Sequence, residues 1–464
     1  MRVEVNNQLR IENPSQTVKD WCKANLVLDN PDYAKKLRMN LWVGRTPEKL
    51  TLYEWDGDTL VLPYGCLAEI EELAGPKDSI TITMPPPKMV WYGADIPLYN
   101  YQQEAVQAMQ AAYYGILQAP AGSGKTQMGV AIATNLGRRA LWLTHTHDLL
   151  QQSKERAEQY IDPSLIGTIT EGQVQIGRGI TFATVQTLSK LDLTRYKDMW
   201  DVIITDECHR VAGSPTTLTQ FSFVLNNLAA RHKYGLSATV HRADGLIKST
   251  YALLGKVVYT VSEDAVADKI VKVGVLPRQT TVRESFSYLN TDGTLNYTAL
   301  VTWLGENTER NEQIVNDLAS NADHYNLILS DRVSHLRSLM ESLPLNLRKQ
   351  AVMIDGKMTS KKGKAERAQA LEDMRRGTKR YLFATYALAK EGLDVPRLDR
   401  LYLTTPQKDY AVITQSLGRI ARAFEGKDAP VCYDYVDTHI PYLMRAYKKR
   451  CTTYRKLKYP ILEG

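Results

Sequence analysis

Cysteine is scarce in this 464-residue chain, and what there is forms no pattern. Cys22, Cys66, Cys208, Cys432 and Cys451 are scattered, odd in number and free of any C-x-x-C spacing. That excludes a disulfide framework and a thiolate zinc site, and it fits a reducing compartment. Also missing is any apolar run of the roughly 18 residues that a membrane span requires. The opening Met1-Arg2-Val3-Glu4-Val5 carries an acid and no apolar stretch, so it does not read as a secretory leader. A cytoplasmic protein without a membrane partner is the expectation. The composition, 44% hydrophobic and 23% charged, is that of a globular protein. Length alone suggests about three folding units.

Charge is unevenly distributed. The net formal charge is +7, yet Pro441–Gly464 holds seven Lys/Arg against one Glu. Met1–Val90 holds eleven Lys/Arg against thirteen Asp/Glu. A polyanionic partner is expected, with the C-terminal end as its strongest attractor.

Residues 1–88 read as a small α+β accessory unit for binding a substrate or a protein partner. Leu50–Trp55 and Thr59–Leu62 resemble strands across an Asp56-Gly57-Asp58 turn, Leu67–Leu73 a helix and Ser79–Thr83 a strand. Pro85-Pro86-Pro87 makes a stiff boundary. Beyond it, short apolar strands alternate with helical stretches, as a parallel sheet covered on both faces requires. Strands are expected at Gly115–Gln118, Ala140–Thr144, Ile180–Val185, Val202–Thr205 and Tyr234–Ser237. A second series is expected at Asn326–Ser330, Val352–Ile354, Tyr381–Ala384, Leu401–Thr404 and Val431–Val436. The fold class is therefore α/β, with parallel-sheet domains over 89–260 and 261–440 and a basic tail over 441–464.

The most informative stretch is Ile116-Leu117-Gln118-Ala119-Pro120-Ala121-Gly122-Ser123-Gly124-Lys125-Thr126. An apolar strand runs into a Gly-rich turn, and Lys-Thr opens a helix. Backbone N–H groups of Ala121, Gly122, Ser123 and Gly124 can cradle phosphates at the positive helix end, with Lys125 adding charge. Thr126 supplies a hydroxyl for an accompanying Mg²⁺. Ala119 stands where the usual pattern has its first glycine. A nucleoside triphosphate with Mg²⁺ is thus the expected ligand. Downstream, the strand Asp201–Thr205 delivers Asp206-Glu207-Cys208-His209. Carboxylates at the C-terminal end of a parallel strand face the ligand crevice. Asp206 is placed to hold Mg²⁺ and Glu207 to orient the water that attacks the γ-phosphate.

With these residues in place, the chain resembles superfamily 2 helicases and translocases over residues 98–424, which implies two tandem RecA-like domains. Leu98-Tyr99-Asn100-Tyr101-Gln102 resembles the adenine-reading segment: Gln102 matches, whereas Tyr99 and Asn100 replace an Arg and a Pro. Leu143–Leu150 and Phe182–Leu188 resemble the strand-gripping motifs, which implies nucleic-acid contacts by Thr144, His145, Thr184, Gln186 and Thr187. Leu236-Ser237-Ala238-Thr239 resembles the coupling motif, so Ser237, Thr239 and His209 are expected to link phosphate state to grip. His241-Arg242-Ala243-Asp244-Gly245, with Arg242 as a further contact, and Asp-Glu-Cys-His are most similar to the XPB, UvsW and restriction-motor branch. That branch implies double-stranded or branched DNA. Phe383–Pro396 resembles the motif touching nucleotide and nucleic acid, here Thr385, Gly392 and Asp394. Gln415-Ser416-Leu417-Gly418-Arg419-Ile420-Ala421-Arg422 matches Gln-x-x-Gly-Arg-x-x-Arg, with Gln415, Arg419 and Arg422 on one helical face. The resemblance implies that Arg419 and Arg422 act on the triphosphate as arginine fingers.

The tail, Arg445 to Tyr459, interleaves basic residues with tyrosines. It fits nucleic acid, or a helix whose tyrosines are anchored and whose lysines are solvated. No nuclease cluster accompanies these motifs. The expectation is a monomeric, ATP-dependent DNA helicase or translocase of repair, recombination or replication. An RNA helicase, or a nucleic-acid-binding ATPase switch within a larger complex, is the alternative.

Overall fold

The computed structural model describes every residue except 121, 171, 212–214, 240–245, 267–270, 357, 359, 391–392 and 464. Ala121, Arg242 and Gly392, all expected at the site, lie outside the described residues. Among the described residues no helix is long and apolar enough to cross a membrane. The chain divides into two compact units, one formed from Met1–Pro120 with Gly124–Ser262, the other chiefly from Glu263–Gly464.

The first unit is built on an eight-stranded sheet. Its strands run Gln173–Gln175, Ile166–Thr170, Ile180–Thr184, Ala140–Thr144, Val202–Thr205, His232–Ser237, Tyr114–Gln118, Val257–Thr260 across the sheet. All neighbours are parallel apart from the Gln173–Gln175 edge. The four central strands from Ile180–Thr184 to His232–Ser237 are buried at every position. That explains why they read as unbroken apolar runs rather than alternations. Their register has a functional consequence. Thr184 pairs with Thr144, Leu143 with Thr205, Thr205 with Gly235, and Ser237 with Gln118. Every motif that follows one of these strands therefore emerges on the same rim of the sheet.

The second unit carries six strands, all parallel, in the order Gly274–Gln279, Val431–Val436, Arg400–Leu403, Asn326–Ser330, Tyr381–Thr385, Ala351–Ile354. The expected strands are present to within two residues at either end. Gln173–Gln175, Val257–Thr260 and Gly274–Gln279 add edges, and Ile166–Thr170 an inner strand, that the sequence reading lacked.

The N-terminal residues form a five-stranded sheet ordered Glu54–Asp56, Thr59–Pro63, Gln8–Glu12, Arg2–Val5, Ser79–Ile82. Leu50–Trp55 is not one strand. Lys49–Thr51 pairs with Val27–Asp29 in a separate two-stranded ladder, and only Glu54–Asp56 makes the expected hairpin with Thr59–Pro63. This sheet has its own core, and that core is continuous with the larger sheet's unit. Val3, Val5, Leu9, Ile11, Leu62 and Ile70 share one buried cluster with Ala229 and Ala252. Gly65 fits so tightly that a Cβ there would lie 2.5 Å from the Gly255 nitrogen and from the Tyr251 oxygen. Lys233, fully buried, donates to the carbonyls of Asn7 at 3.1 Å and Leu225 at 2.7 Å and faces the Tyr64 ring. Burial pushes the Lys233 ammonium down to about 7.

Candidate nucleotide site and strand-side loops

On the common rim, the phosphate loop follows the Tyr114–Gln118 strand. Gly122 and Gly124 have φ of 83° and 81°, a region that a side chain rarely occupies. A Cβ on Gly124 would sit 2.4 Å from the Gln102 Nε2, so a side chain there would also displace Gln102. Gln102 is buried, and its Oε1 accepts from the Tyr99 N–H at 3.0 Å. The adenine-reading candidate is thus packed directly on the phosphate loop. Gly124 then starts the helix Lys125–Leu136, whose first N–H groups open toward the loop. Lys125 Nζ donates to the Ala119 and Pro120 carbonyls at 3.3 and 3.4 Å. These are weak neutral acceptors that phosphate oxygens would outcompete. Thr126 is half-buried in the first turn of that helix.

Two strands away, Asp206 is buried. Its Oδ1 accepts from the Glu207 N–H at 2.9 Å and its Oδ2 from the Ser153 hydroxyl at 3.2 Å. Burial, with the Glu207 carboxylate alongside, pushes the Asp206 carboxyl up to about 6, against the pull of Lys125. No lysine or arginine among the described residues makes an ion pair with it. A buried acid held without a paired cation, near a phosphate-loop lysine, fits an incoming Mg²⁺. Ser153 was not anticipated. It is a mid-helix serine within His147–Ala157, and nothing in its sequence context marks it.

Glu207 has a left-handed backbone, φ 47° and ψ 49°. For a residue with a full side chain that is strain of about 1–2 kcal/mol. Its carboxylate Oε2 lies 3.2 Å from the His209 Nδ1. The same Nδ1 is 3.0 Å from the Ser237 Oγ. Ser237 Oγ donates to the Thr239 carbonyl at 2.7 Å and accepts from the Thr239 N–H at 3.2 Å. With its proton committed to Thr239, Ser237 can only accept from His209, which fixes the proton on Nδ1. The imidazole N–H therefore bonds the turn after the His232–Ser237 strand, and the Glu207 carboxylate lies beside the same nitrogen. The three expected coupling residues form one connected network.

The strand-gripping candidates also meet. The His145 Nδ1 and the Gln186 Nε2 are 2.9 Å apart, and the Thr184 and Thr187 hydroxyls are 2.9 Å apart. His145 stacks near Phe221, and burial with Arg210 nearby lowers its pKa. Thr144 differs from expectation. It is wholly buried and its hydroxyl lies 3.1 and 3.4 Å from the carbonyls of Thr146 and Ala183. It holds the loop in place rather than offering a donor to a ligand. Thr146 caps the following helix through the Leu149 N–H.

In the second unit, Arg419 and Gln415 lie on the Tyr410–Ile420 helix. Arg419 Nε donates to the Ala389 carbonyl at 2.7 Å and Nη1 to that of Leu393 at 3.2 Å. Arg422 is ion-paired with Asp394. Asp394, expected at the nucleotide, is here the partner of an expected arginine finger. Thr385 ends the Tyr381–Thr385 strand, half-buried.

The tail forms the helix Pro441–Lys456. Tyr454 is buried and donates to Asp434 at 2.7 Å, and Arg450 is buried against the same carboxylate. Two of the aromatic and basic residues in this stretch are therefore structural. Lys448, Lys449 and Arg455 remain exposed.

Comparison with known proteins agrees with this geometry. Residues 95–242 match the family described as type III restriction enzyme, res subunit, and residues 309–424 match the helicase conserved C-terminal domain. Together they cover more than half of the chain. The chain belongs to the superfamily 2 helicases. Among relatives of this helicase is a putative ATP-dependent RNA helicase of Acanthamoeba polyphaga mimivirus, 26% identical over 77% of this chain and 66% of that protein. Another is the DNA 3'-5' translocase XPB2 of Sulfurisphaera tokodaii, 32% identical over 38% of each chain. The chain thus spans under two thirds of the curated relatives named here. A putative HsdR subunit of a type I restriction enzyme from Vibrio vulnificus shares the fold, with a TM-score of 0.56 at 19% identity over 80% of this chain and 69% of that one. Membership in this family implies ATP use and a nucleic-acid substrate, and the two parallel sheets are its RecA-like domains.

Proposed function

We propose that this helicase is an ATP-driven translocase on double-stranded or branched DNA, acting in repair, recombination or replication. The observation that carries the reading is His209, which bonds Ser237 through Nδ1 and lies 3.2 Å from the Glu207 carboxylate, because it brings the proposed hydrolytic acid next to the Ser237–Thr239 turn. Lys125 and the N–H groups of the Lys125–Leu136 helix bind the β- and γ-phosphates. Mg²⁺, held by Thr126 and Asp206, would neutralise phosphate charge as it arrives with ATP. Glu207 orients the attacking water and holds its proton. The second unit supplies Arg419 and Arg422 as cations for the transferring phosphoryl group. Each must first leave its present partner, the Ala389 and Leu393 carbonyls or Asp394. His145, Thr184, Gln186 and Thr187 hold the backbone without reading sequence. The restriction-subunit family match and the XPB2 relative favour DNA.

The mimivirus relative, which matches more of the chain, favours a second reading, an RNA helicase. ATP turnover measured with duplex DNA, forked DNA and structured RNA separates them. Stimulation by forked or duplex DNA at least tenfold above RNA is expected, and the reverse order would replace the DNA reading.

A further inference from the structure

Between the ladder strands Val27–Asp29 and Lys49–Thr51 the chain makes an excursion that the function above does not use. It consists of the helix Pro31–Arg38 and the loop that follows. The helix buries none of its residues, although it carries Leu37. Leu37, Met39, Leu41 and Trp42 are all more than half exposed, Trp42 at 87%. Such a run of large apolar side chains in water marks a binding surface.

The excursion is nonetheless built, not frayed. Asn30 caps the helix through the Asp32 N–H at 3.0 Å and donates to the Pro47 carbonyl at 2.8 Å, closing the base. Lys36 Nζ reaches the Thr46 hydroxyl at 2.6 Å and the Leu41 N–H the Lys36 carbonyl at 2.9 Å, bracing the arm across its middle. Gly44, at φ +54°, lies beneath the Trp42 ring, where a Cβ would approach its carbons to 3.0 Å. The indole is thereby supported on one face while the rest meets solvent.

Charge identifies the occupant. Residues 33–46 hold Lys35, Lys36, Arg38 and Arg45 and no acid, inside an N-terminal region that is otherwise acidic. Among the described residues no acid pairs with Lys35, Arg38 or Arg45. An exposed, supported indole flanked by unneutralised cations is the chemistry of an unpaired base stacked beside its phosphates. The root is also anchored on the unit that carries the eight-stranded sheet. Leu28, in the ladder strand, packs against Leu246, seven positions after Thr239 in the chain.

We infer that residues 31–46 form a nucleic-acid-binding arm, in which Trp42 stacks on an unpaired base of a branched substrate and Lys35, Arg38 and Arg45 hold the adjoining phosphates. The inference rests on the translocase reading only for the identity of the polyanion.

The test uses the full chain and fluorescence anisotropy with three probes: a fork bearing a single-stranded arm, the matching blunt duplex, and an RNA fork. Trp42→Ala should weaken fork binding about tenfold and leave the blunt duplex within twofold, with Trp42→Phe restoring most of the loss. Lys35→Glu combined with Arg38→Glu and Arg45→Glu should weaken all three probes more than tenfold and lower the salt slope by about three. Unchanged thermal melting shows that the variants are folded. Fork affinity within twofold of wild type in both variants overturns the inference and leaves the surface to a protein partner. Equal losses on fork and blunt duplex in Trp42→Ala overturn the stacking role. If the wild type shows nucleic-acid-stimulated ATP turnover while the arm variants bind normally, only the arm fails. Absence of stimulation in the wild type is what would fail the translocase reading.

Discussion

The two parallel-sheet units treat their buried carboxylates in opposite ways. In the second unit each one has an arginine. Asp434 faces Arg450 at 2.8 Å, Asp437 faces Arg310 at 2.9 Å, and Asp317 takes both arms of Arg278 at 2.8 and 3.0 Å. In the first unit Asp206 is equally buried but rests on one N–H and one hydroxyl, with its carboxyl pushed up to about 6. Asp201, at the other end of the same strand, is also buried without an ion pair among the described residues and accepts from the Lys88 N–H at 2.7 Å. A buried charge is tolerated when paired and costly otherwise. Of these two acids Asp206 is the one that feels the phosphate-loop Lys125, which is why it is the one proposed for a ligand's cation.

Breaking a paired acid should cost most. Arg450→Met leaves Asp434 buried opposite only the Tyr454 hydroxyl, with an expected loss of about 3–5 kcal/mol. Denaturant melts of the full chain measure it, and a loss below 1 kcal/mol would mean that the pairs are not what sets this unit's stability.

Removing the cations proposed to act on the nucleotide comes next. Lys125→Ala and Arg419→Ala should each reduce nucleic-acid-stimulated phosphate release by about 10³-fold or more, about 4 kcal/mol in the barrier. Melting temperature should barely move for Lys125→Ala, whose present contacts are weak. Strong residual turnover in either variant would remove that residue from its assigned role.

The unpaired acid should respond with the opposite sign to Arg450. Asp206 has a folded-state pKa above its ordinary value, so between about pH 4 and 6 the folded chain binds more protons than the unfolded one. Stability from this group is therefore full at low pH, falls as pH rises to about 6, and stays low above it. Asp206→Asn keeps an acceptor for the Glu207 N–H and removes the charge. It should raise nucleotide-free stability at pH 7–8 by on the order of 3 kcal/mol while abolishing hydrolysis. Mg²⁺ with a nonhydrolysable nucleotide should shrink the gap, because the bound cation stabilises only the ionised acid. A variant less stable than wild type at pH 8 would contradict the contrast.

The sequence carried the sheets and the rim well, because a parallel strand buried on both faces leaves an apolar run with little ambiguity. It carried less where burial is one-sided. Arg2–Val5 and Gln8–Glu12 alternate buried and exposed residues around Asn6-Asn7, a hairpin signal as clear as the one recognised at Asp56-Gly57-Asp58. Leu50–Trp55 misled in the other direction, since one apolar stretch serves two sheets. Ser153 and the burial of Thr144 were illegible for a plainer reason. Both depend on which side chain a helix or strand turns toward a neighbour more than 35 residues away, and no local pattern encodes that.

The smallest effect tests the coupling itself. The His209 Nδ1–H bonds Ser237 at 3.0 Å, and the Glu207 carboxylate lies 3.2 Å from the same nitrogen. On the proposed function, movement of Glu207 toward a bound γ-phosphate's water would take its charge away from the imidazole and so alter the bond that His209 gives Ser237. Losing one such hydrogen bond is worth about 0.5–1.5 kcal/mol, so His209→Ala should lower the ratio of stimulated to unstimulated turnover by up to about tenfold. Ser237→Ala should lower it by a similar amount, because it removes the other end of the same bond. The double variant decides between a shared bond and two separate contributions. Residues acting through one hydrogen bond are non-additive, so the double variant should match either single one, whereas a further tenfold drop would show that His209 and Ser237 act independently.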